Sequence, residues 1–296
     1  AALAGSDLRL VVSTDAHIVT PLVFPGGDIG RLAVCGTVND VSMLGATPLY
    51  LTASFILEEG LEIELLESLL ASMAAACAEA GVRIIAADTK VAGKGQVDQL
   101  FITTTGIGLA PASRQISGAA AQPGDMVLVS GTLGDHGIAI AQARGDLGFQ
   151  SNVRSDTAPL NGLVAALLAA APNVHVLRDP TRGGLATTLV EITRQSGVTI
   201  EIEQQAIPIN KAVRKACELL GFDPLYLANE GKLIAIVPEA EAKEALEAMR
   251  AHPYGKDAAF VGRVTDRPDP RLLLRTELGT TRILEMLAGE MLPRIC

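Results

Sequence analysis

The chain has 296 residues, a formal net charge of −9, and a composition that is 49% hydrophobic but only 3% aromatic. This length exceeds what one hydrophobic core usually organises, so we expect two domains. The negative charge argues against nucleic acid or an anionic membrane as the main partner, and the longest purely apolar run, Leu163–Ala171, is too short to cross a bilayer.

The first half alternates between strand and helix patterns. The strand Leu8–Val12 leads into Ser13-Thr14-Asp15, and after a Pro-Gly-Gly turn Asp28 is expected to cap a helix that ends at Gly45. The elements predicted next are a strand over Pro48–Leu57, a helix over Ile63–Ala80 stopped by Gly81, a strand over Val82–Ala87 that ends in Asp88-Thr89-Lys90, and a strand over Gln99–Leu109.

Small and polar residues over Ser117–Pro123 are typical of a linker, and they predict a domain boundary near residue 118. The strands predicted beyond it are Met126–Ser130, Val198–Glu203, Leu233–Val237 and Ala258–Val264. The helices predicted there are Asp135–Arg144, Pro159–Ala171, Gly183–Ser196, Ile209–Leu220 and Glu239–Ala251. We therefore expect an α/β (α+β) protein with domains over residues 1–118 and 119–290 and a flexible tail over 291–296.

The usual nucleotide motifs are missing. The sequence has no G-x-x-x-x-G-K-[ST] phosphate loop and no complete dinucleotide fingerprint, so a nucleotide would have to bind in another way. Acidic residues do occur at the ends of apolar elements, at Asp15, Asp40 and Asp88. Oxygen ligands from separate elements are how Mg²⁺ is held against phosphates, although each residue taken alone is more typical of a cap or turn.

Two further segments bear polar groups at element ends. Asp179 opens the run Asp-Pro-Thr-Arg-Gly-Gly before a helix, where Gly183 and Gly184 would present backbone N–H groups to an anion; a plain helix-start turn is the alternative. Glu230 follows Asn229 just before an apolar strand, as either a base or a solvated turn residue.

The cysteines divide into two kinds. Cys35, Cys77 and Cys217 lie in apolar, helix-like stretches without CxxC spacing, which predicts reduced, buried thiols in a cytoplasmic protein without a secretory signal. Cys296 is the last residue, after Pro293 and Arg294, and it is either the carrier of a covalent group or an inert chain end.

Together these segments resemble the HypE family of hydrogenase maturation factors, within the superfamily of aminoimidazole ribonucleotide synthetase, selenide-water dikinase and thiamine-monophosphate kinase. The resemblance covers essentially the whole chain. The segments that carry it are Phe24–Gly30, Val38–Ala46, Asp88–Lys90, Asp179–Gly184, Ala228–Gly231 and the terminal Pro-Arg-Ile-Cys, Pro293–Cys296. The terminal segment distinguishes this family from the rest of the superfamily, and it favours the carrier interpretation of Cys296.

The resemblance implies two mixed-sheet domains, a homodimer formed by the first, and an ATP-dependent carbamoyl dehydratase. A partner, HypF, would load a carbamoyl group on Cys296; the enzyme would dehydrate it to a thiocyanate and donate cyanide to iron held by HypC–HypD. The residues that it places at Mg²⁺ are Asp15, Asp40 and Asp88. Those that it places at ATP are Asp15, Asp28, Asn39, Asp40, Asp88, Thr89, Asp179, Gly183 and Gly184. Those that it places at the reacting group are Cys296, Glu230 and Lys90.

Two departures from the family pattern stand out. The family normally begins with a glycine-rich arm that closes over the phosphates, and this chain starts after it, so ATP binding or turnover is expected to be impaired. Ala87 stands where the family often has glycine. The alternatives are a small-molecule kinase or amidine-forming ligase on the same fold, and a non-catalytic assembly protein that docks its tail into partners.

Overall fold

The structure, a computed structural model, describes residues 1, 3, 6–145, 148 and 151–287. The predicted tail over 291–296 lies outside these residues. The helices are α1 Ile29–Met43, α2 Ile63–Ala80, α3 Asp135–Ala143, α4 Asn161–Ala170, α5 Gly184–Ser196, α6 Lys211–Leu220 and α7 Ala242–Ala251. The strands are β1 Leu8–His17, β2 Val23–Phe24, β3 Gly27–Asp28, β4 Thr47–Glu58, β5 Arg83–Ala92, β6 Leu100–Pro111, β7 Met126–Val129, β8 Val176–Arg178, β9 Thr199–Glu203, β10 Ile234–Val237, β11 Ala259–Thr265, β12 Leu272–Arg275 and β13 Thr281–Leu284.

The first sheet has the order β1-β6-β4-β5, antiparallel except for the parallel pair of β4 and β5. Two strands are longer than predicted, because each keeps its pairing beyond the apolar run. β1 pairs with β6 as far as His17, so Asp15 lies inside the strand and not after it. β5 pairs with β4 as far as Ala92, so Asp88, Thr89 and Lys90 also lie within a strand.

Helices α1 and α2 cover one face of this sheet. Asp28 caps α1 as predicted: its Oδ1 accepts a hydrogen bond from the backbone N of Arg31 at 2.9 Å. Gly81 ends α2 in the left-handed conformation, also as predicted. Every α1 residue except Arg31 and Asp40 is buried, because the helix is enclosed by the sheet, α2 and elements of the second half. A helix buried on all sides can position polar groups rigidly.

The second sheet has the order β13-β12-β9-β11-β7-β10-β8, with a parallel pair only between β9 and β12 among the described residues. Sequence reasoning missed the three- and four-residue strands β8, β12 and β13 and the short hairpin of β2 and β3, which are too brief to show a period. The expected α/β architecture with mixed sheets is confirmed. The boundary near residue 118 stays a prediction.

No helix among the described residues is both long enough and apolar enough to cross a membrane. Cys35, Cys77 and Cys217 are free and buried, as predicted. Burial raises the pKa of all three thiols, to about 11 for Cys217. These cysteines are therefore poor nucleophiles at neutral pH.

Candidate active site at the junction of the two sheets

Asp15 lies on the face of β1 that is covered by α1. It is opposite Thr104 of β6, whose hydroxyl lies 2.6 Å from the Thr37 hydroxyl of α1. The Asp15 Oδ2 atom lies 3.6 Å from Nε2 of the buried His17, and the side chain remains 44% exposed. Gly36 of α1 packs against both, since a Cβ there would lie 3.0 Å from the His17 ring. Asp15 is thus a half-exposed carboxylate beside a buried helix.

Asp40 joins Asp15 from the other side. Near the end of α1, its Oδ2 accepts a hydrogen bond from the Ser13 hydroxyl at 2.8 Å, and Ser13 is two residues before Asp15 on the same face of β1. Burial raises the pKa of Asp40, and the nearby Asp15 carboxylate raises it further. The helix end and the strand therefore hold two carboxylates close enough to repel each other.

Asp179 belongs to the same group of charges. It follows β8 in the second half of the chain, and burial together with the Asp40 and Asp15 carboxylates raises its pKa to about 6. Three acidic residues from three separate elements thus share one electrostatic environment at the junction of the two sheets. The sequence signal for Asp179 was an acid directly after an apolar run and before Pro180.

The donor set suits a hydrated magnesium ion bound together with phosphates. No three His, Cys, Asp or Glu side chains in the described part of the chain approach closely enough to hold a bare metal ion. Mg²⁺ at a nucleotide usually needs only one or two carboxylates, since water and phosphate oxygens complete its octahedron. A cation among Asp15, Asp40 and Asp179 would also relieve the repulsion that raises the pKa of the last two.

Asp88 and Lys90 lie on the opposite face of the first sheet from Asp15, whereas Thr89 is aligned with the buried Phe55 on the helix-covered face and its contact with ATP stays a prediction. All three are exposed on β5, the edge strand of the first sheet. Asp88 is aligned with Ser54 and Lys90 with Ile56, and both β4 residues point away from the helices. Asp15 faces the helices. The predicted set of Asp15, Asp40 and Asp88 is therefore not assembled in one chain, and the acidic residue that shares the environment of Asp15 and Asp40 is Asp179.

Asn39, next to Asp40, holds the two halves together. Its Nδ2 donates to the carbonyl oxygens of Ala158 at 3.1 Å and Glu230 at 3.3 Å, and its Oδ1 accepts from the backbone N of Leu160 at 2.7 Å. Its side-chain amide is thus engaged by the protein. Sequence reasoning placed Asn39 at ATP, which stays a prediction, and missed this cross-connection.

Glu230 is buried, with 5% of its surface exposed, and so is not a surface turn residue. Its backbone N donates to Oδ1 of Asp156 at 3.0 Å, and Asp156 in turn pairs with Lys232 at 3.0 Å. Burial raises the pKa of the Cys35 thiol on α1, and the Glu230 carboxylate adds to that rise. The Glu230 carboxylate is therefore held beside α1, near Cys35, which lies one helical turn before Asn39.

Gly183 and Gly184 lead into α5, with φ angles of 72° and 62°. A Cβ on Gly184 would lie 2.5 Å from the Leu227 carbonyl oxygen, so no other residue fits there. α5 has no side-chain cap, and the buried Thr187 hydroxyl in its first turns has no hydrogen-bond partner among the described residues. This helix start, a few residues after Asp179, has the geometry of an anion site.

Both carboxylate oxygens of Asp28 accept hydrogen bonds within the protein. One oxygen caps α1, and the other accepts a hydrogen bond from the Ser72 hydroxyl at 2.5 Å. Its predicted contact with ATP stays a prediction. Cys296 lies outside the described residues.

Comparisons with known proteins agree over both halves of the chain. The N-terminal domain of AIR synthase related proteins matches residues 1–110, and the C-terminal domain of the same family matches residues 122–275. The carbamoyl dehydratase HypE of Azotobacter vinelandii is 54% identical over 97% of this chain and 84% of its own length. The carbamoyl dehydratase HypE of Cupriavidus necator is 56% identical over 97% of this chain and 82% of its own length.

Solved structures give the same picture. A hydrogenase maturation protein HypE in complex with ATP is 50% identical, with a TM-score of 0.93 over 100% of this chain and 89% of that one. A HypE–HypF complex matches with 51% identity and a TM-score of 0.91, over 94% of this chain and 90% of that one. Thiamine monophosphate kinase of Aquifex aeolicus, at 19% identity and a TM-score of 0.68 over 92% of this chain and 89% of its own, shares the fold.

Proposed function

The chain belongs to the HypE family of carbamoyl dehydratases, and on this premise we propose that it makes the cyanide ligands of nickel–iron hydrogenase. In this proposal it dehydrates an S-carboxamide on Cys296 to a thiocyanate with ATP and donates the cyanide to iron. The observation that carries the proposal is the position of the carboxylates Asp15, Asp40 and Asp179 next to a helix start suited to phosphate and a buried Glu230.

The proposed reaction balances without added water. The amide oxygen of the S-carboxamide attacks the γ-phosphorus of ATP, and ADP leaves. The amide nitrogen loses its two protons while the C–O bond breaks, which yields the thiocyanate and phosphate. The amide oxygen is a poor leaving group until it is phosphorylated, so the nucleotide and a base have to meet at one site.

The candidate residues fall into two groups, one that would bind the nucleotide and one that would accept a proton. Asp15, Asp40 and Asp179 would hold Mg²⁺, which neutralises charge on the phosphates when bound. The backbone N–H groups at Gly183 and Gly184 would bind phosphate oxygens. Glu230, held beside α1 by the Asn39 contact, would accept a proton from the amide nitrogen.

The outer face of the first sheet supports a homodimer. In the part of the chain that the structure describes, no helix packs on this face, which carries apolar side chains such as Val12, 52% exposed, and Ile56, 38% exposed. An apolar sheet face of this kind is normally covered. Asp88 and Lys90 lie on that face, so their proposed roles at ATP and at the reacting amide depend on a second copy of the chain. The same proposal includes HypF and HypC–HypD as partners and a cytoplasmic location.

The test begins with intact-mass measurement after incubation with HypF, carbamoyl phosphate and a single equivalent of ATP, which the loading step itself uses up. The loaded protein is then desalted and divided, and Mg-ATP is added to one half. We expect the carbamoyl mass without ATP and the cyano mass with it, both mapped to Cys296. Loading on Cys35, Cys77 or Cys217, or no change on addition of Mg-ATP, would refute the proposal. The kinase alternative has only the shared fold in its support.

A further inference from the structure

Three polar side chains alternate along the last part of β1 and face α1. They are Ser13, Asp15 and His17, each two residues from the next, so all three lie on one face of the strand. Ser13 donates a hydrogen bond to the neighbouring carboxylate of Asp40. His17, on the other side of Asp15, is buried, with 3% of its side chain exposed. A buried imidazole therefore borders the candidate metal ligand Asp15.

The imidazole of His17 is held in place by close packing and by a threonine. Gly36 of α1 leaves room for the ring, since a Cβ there would lie 3.0 Å from its Cε1 atom. On the side of β6, the Nε2 atom of the ring lies 3.4 Å from the hydroxyl of Thr104. Thr104 is itself bound to α1, through the Thr37 hydroxyl and the carbonyl oxygen of Ala33. The ring therefore has a fixed position relative to the helix.

The hydrogen bonds of Thr104 determine which nitrogen of the His17 ring carries a hydrogen. The Thr104 hydroxyl has one proton and donates it to the Ala33 carbonyl at 3.0 Å, since a carbonyl can only accept. Toward His17 the same hydroxyl can therefore only accept, so Nε2 must carry the hydrogen. A second acceptor near this N–H is Oδ2 of Asp15, at 3.6 Å. His17 thus presents a donor to the candidate metal ligand.

Asp15 gains from such a contact because 44% of its side chain is exposed. Its Oδ1 atom accepts a hydrogen bond from the backbone N of Ala16 at 2.9 Å. The N–H of His17 restrains the other oxygen, so both carboxylate oxygens have a preferred position before a cation binds. A carboxylate that is restrained in this way loses less conformational freedom when it binds a metal ion.

We propose that His17 is a positioning residue that orients Asp15 for Mg²⁺ at the nucleotide. This inference rests on the proposed role of Asp15 as a metal ligand, and it adds no step to the proposed reaction. Loss of a group that orients a metal ligand typically lowers metal affinity by about 10- to 100-fold. Because the contact of 3.6 Å is longer than an ordinary hydrogen bond, we expect an effect at the lower end of that range.

The test measures Mg²⁺-dependent ATP binding by calorimetry on the full chain without a carbamoyl group, so that there is no amide to phosphorylate. His17→Asn, whose amide is too short to reach Asp15, is expected to raise the Mg²⁺ concentration for half-maximal ATP binding about 10-fold. The ATP affinity measured in a chelator is expected to stay unchanged. His17→Gln, whose longer side chain can bring an amide N–H to the position of the ring N–H, is expected to restore most of the lost Mg²⁺ affinity.

His175→Asn is the matched control. It removes another histidine–aspartate pair, between Nδ1 of His175 and Oδ2 of Asp125 at 2.7 Å, at the opposite end of β8 from Asp179. It is expected to leave the Mg²⁺ requirement unchanged, whatever its effect on stability.

A double-mutant cycle adds a result that a general loss of structure would not give. In an Asp15→Asn background, His17→Asn is expected to have no further effect on the Mg²⁺ requirement, because the carboxylate that it orients is gone. If His17→Asn does not fold, Thr104→Val takes its place in the experiment. It removes the acceptor that fixes the ring and is expected to raise the Mg²⁺ requirement about 2- to 10-fold, the range for one lost hydrogen bond.

Several results would overturn the inference. These are an unchanged Mg²⁺ requirement in the folded variant, an equal rise in His175→Asn, additive effects in the cycle, and the absence of Mg²⁺-dependent ATP binding in the unmodified protein. A rise in His17→Asn, combined with no conversion of a carbamoylated tail by the unmodified protein, would instead refute only the proposed function.

Discussion

The side-chain amide of Asn39 donates a hydrogen bond to the backbone carbonyl of Glu230 at 3.3 Å, across the junction of the two halves of the molecule. Asn39 is adjacent to Asp40, and Glu230 precedes the strand β10 of the second sheet. This one contact ties an acid of the candidate metal site to the candidate base. Substitution of either residue therefore tests both the architecture and the chemistry.

We expect Asn39→Ala to lower the free energy of unfolding by about 2–4 kcal/mol, because it leaves the buried N–H of Leu160 and two carbonyls without their partner. Denaturant unfolding measures this. The matched control is Asn161→Ala, which removes only a single partly buried bond to the Ala80 carbonyl at 2.8 Å and is expected to cost about 1 kcal/mol or less. Equal losses in the two variants would contradict the cross-connecting role of Asn39.

We expect Asp179→Asn to stabilise the metal-free protein above pH 6. The raised pKa of about 6 means that the folded state binds more protons than the unfolded state between about pH 4 and 6, so stability falls as pH rises through that window. The free-energy cost of burying the ionised Asp179 carboxylate, on the order of 3 kcal/mol, is fully present above pH 6 and does not arise with asparagine. Denaturant unfolding in a chelator at pH 4 and pH 7.5 should show a gain only at the higher pH.

The same substitution should weaken Mg-dependent ATP binding, since it removes one carboxylate of the candidate metal site. Calorimetry with and without Mg²⁺ measures this. A variant that is more stable but binds ATP as before would place the metal elsewhere.

We expect Glu230→Gln to accept carbamoyl on Cys296 and to bind ATP, yet to convert the tail about 10²- to 10⁴-fold more slowly, because glutamine keeps the size of the side chain but has no basicity. Intact-mass time courses measure the conversion. Glu241→Gln is the control, since Glu241 binds Asn173 at the surface, away from the site. Thiocyanate formation at the unmodified rate would mean that another group is the base.

We expect Gly184→Ala to lower the free energy of unfolding by more than about 2 kcal/mol, because its φ of 62° and the nearby Leu227 carbonyl both exclude a Cβ. Gly197→Ala, at the other end of α5, has a similar φ of 69° but nothing within 4 Å of its Cβ, and should cost only about 1 kcal/mol. Denaturant unfolding of both variants separates backbone strain from close packing. Similar losses of unfolding free energy in the two variants would show that the turn at 225–227 can move to make room for the added Cβ.

We expect Ile56→Asp to shift a dimer toward monomer in light scattering, with dissociation at least about 10-fold easier, because it places a charge on the proposed sheet-to-sheet interface. Ile63→Asp is the control: Ile63 is 62% exposed but lies at the start of α2, on the covered side of the sheet. A dimer that survives Ile56→Asp, or one lost with Ile63→Asp, would place the interface elsewhere.

The parts of the fold that depend on local signals could be predicted from the sequence. Asp28 and Gly81 mark their helix ends by their own conformational preferences, and α2 has the predicted limits. The face on which a residue lies was not predictable. Asp15 and Asp88 look alike in sequence, each at the end of an apolar run, but strand register turns them to opposite faces of the sheet. Register depends on partners far along the chain, which a single sequence does not reveal.

The same limit explains the contacts that were missed. The bonds of Asn39 join residues 119 to 191 positions apart, and no local pattern marks them. Asp179 was expected near the nucleotide, but only the structure groups it with Asp15 and Asp40. The family resemblance supplied the residues to consider, and the three-dimensional arrangement supplied their grouping.

The complete burial of α1 has a consequence for how the protein is made. This helix leaves the ribosome early, but residues that close around its polar end, Leu160 and Glu230, are translated only 121 and 191 positions after Asn39. Until these residues are made, the apolar surface of α1 that they cover stays exposed in the partly synthesised chain, and exposed apolar surface of this kind favours aggregation. The candidate site therefore cannot be completed before Glu230 has been translated, and a chain that stalls before this residue lacks the candidate base.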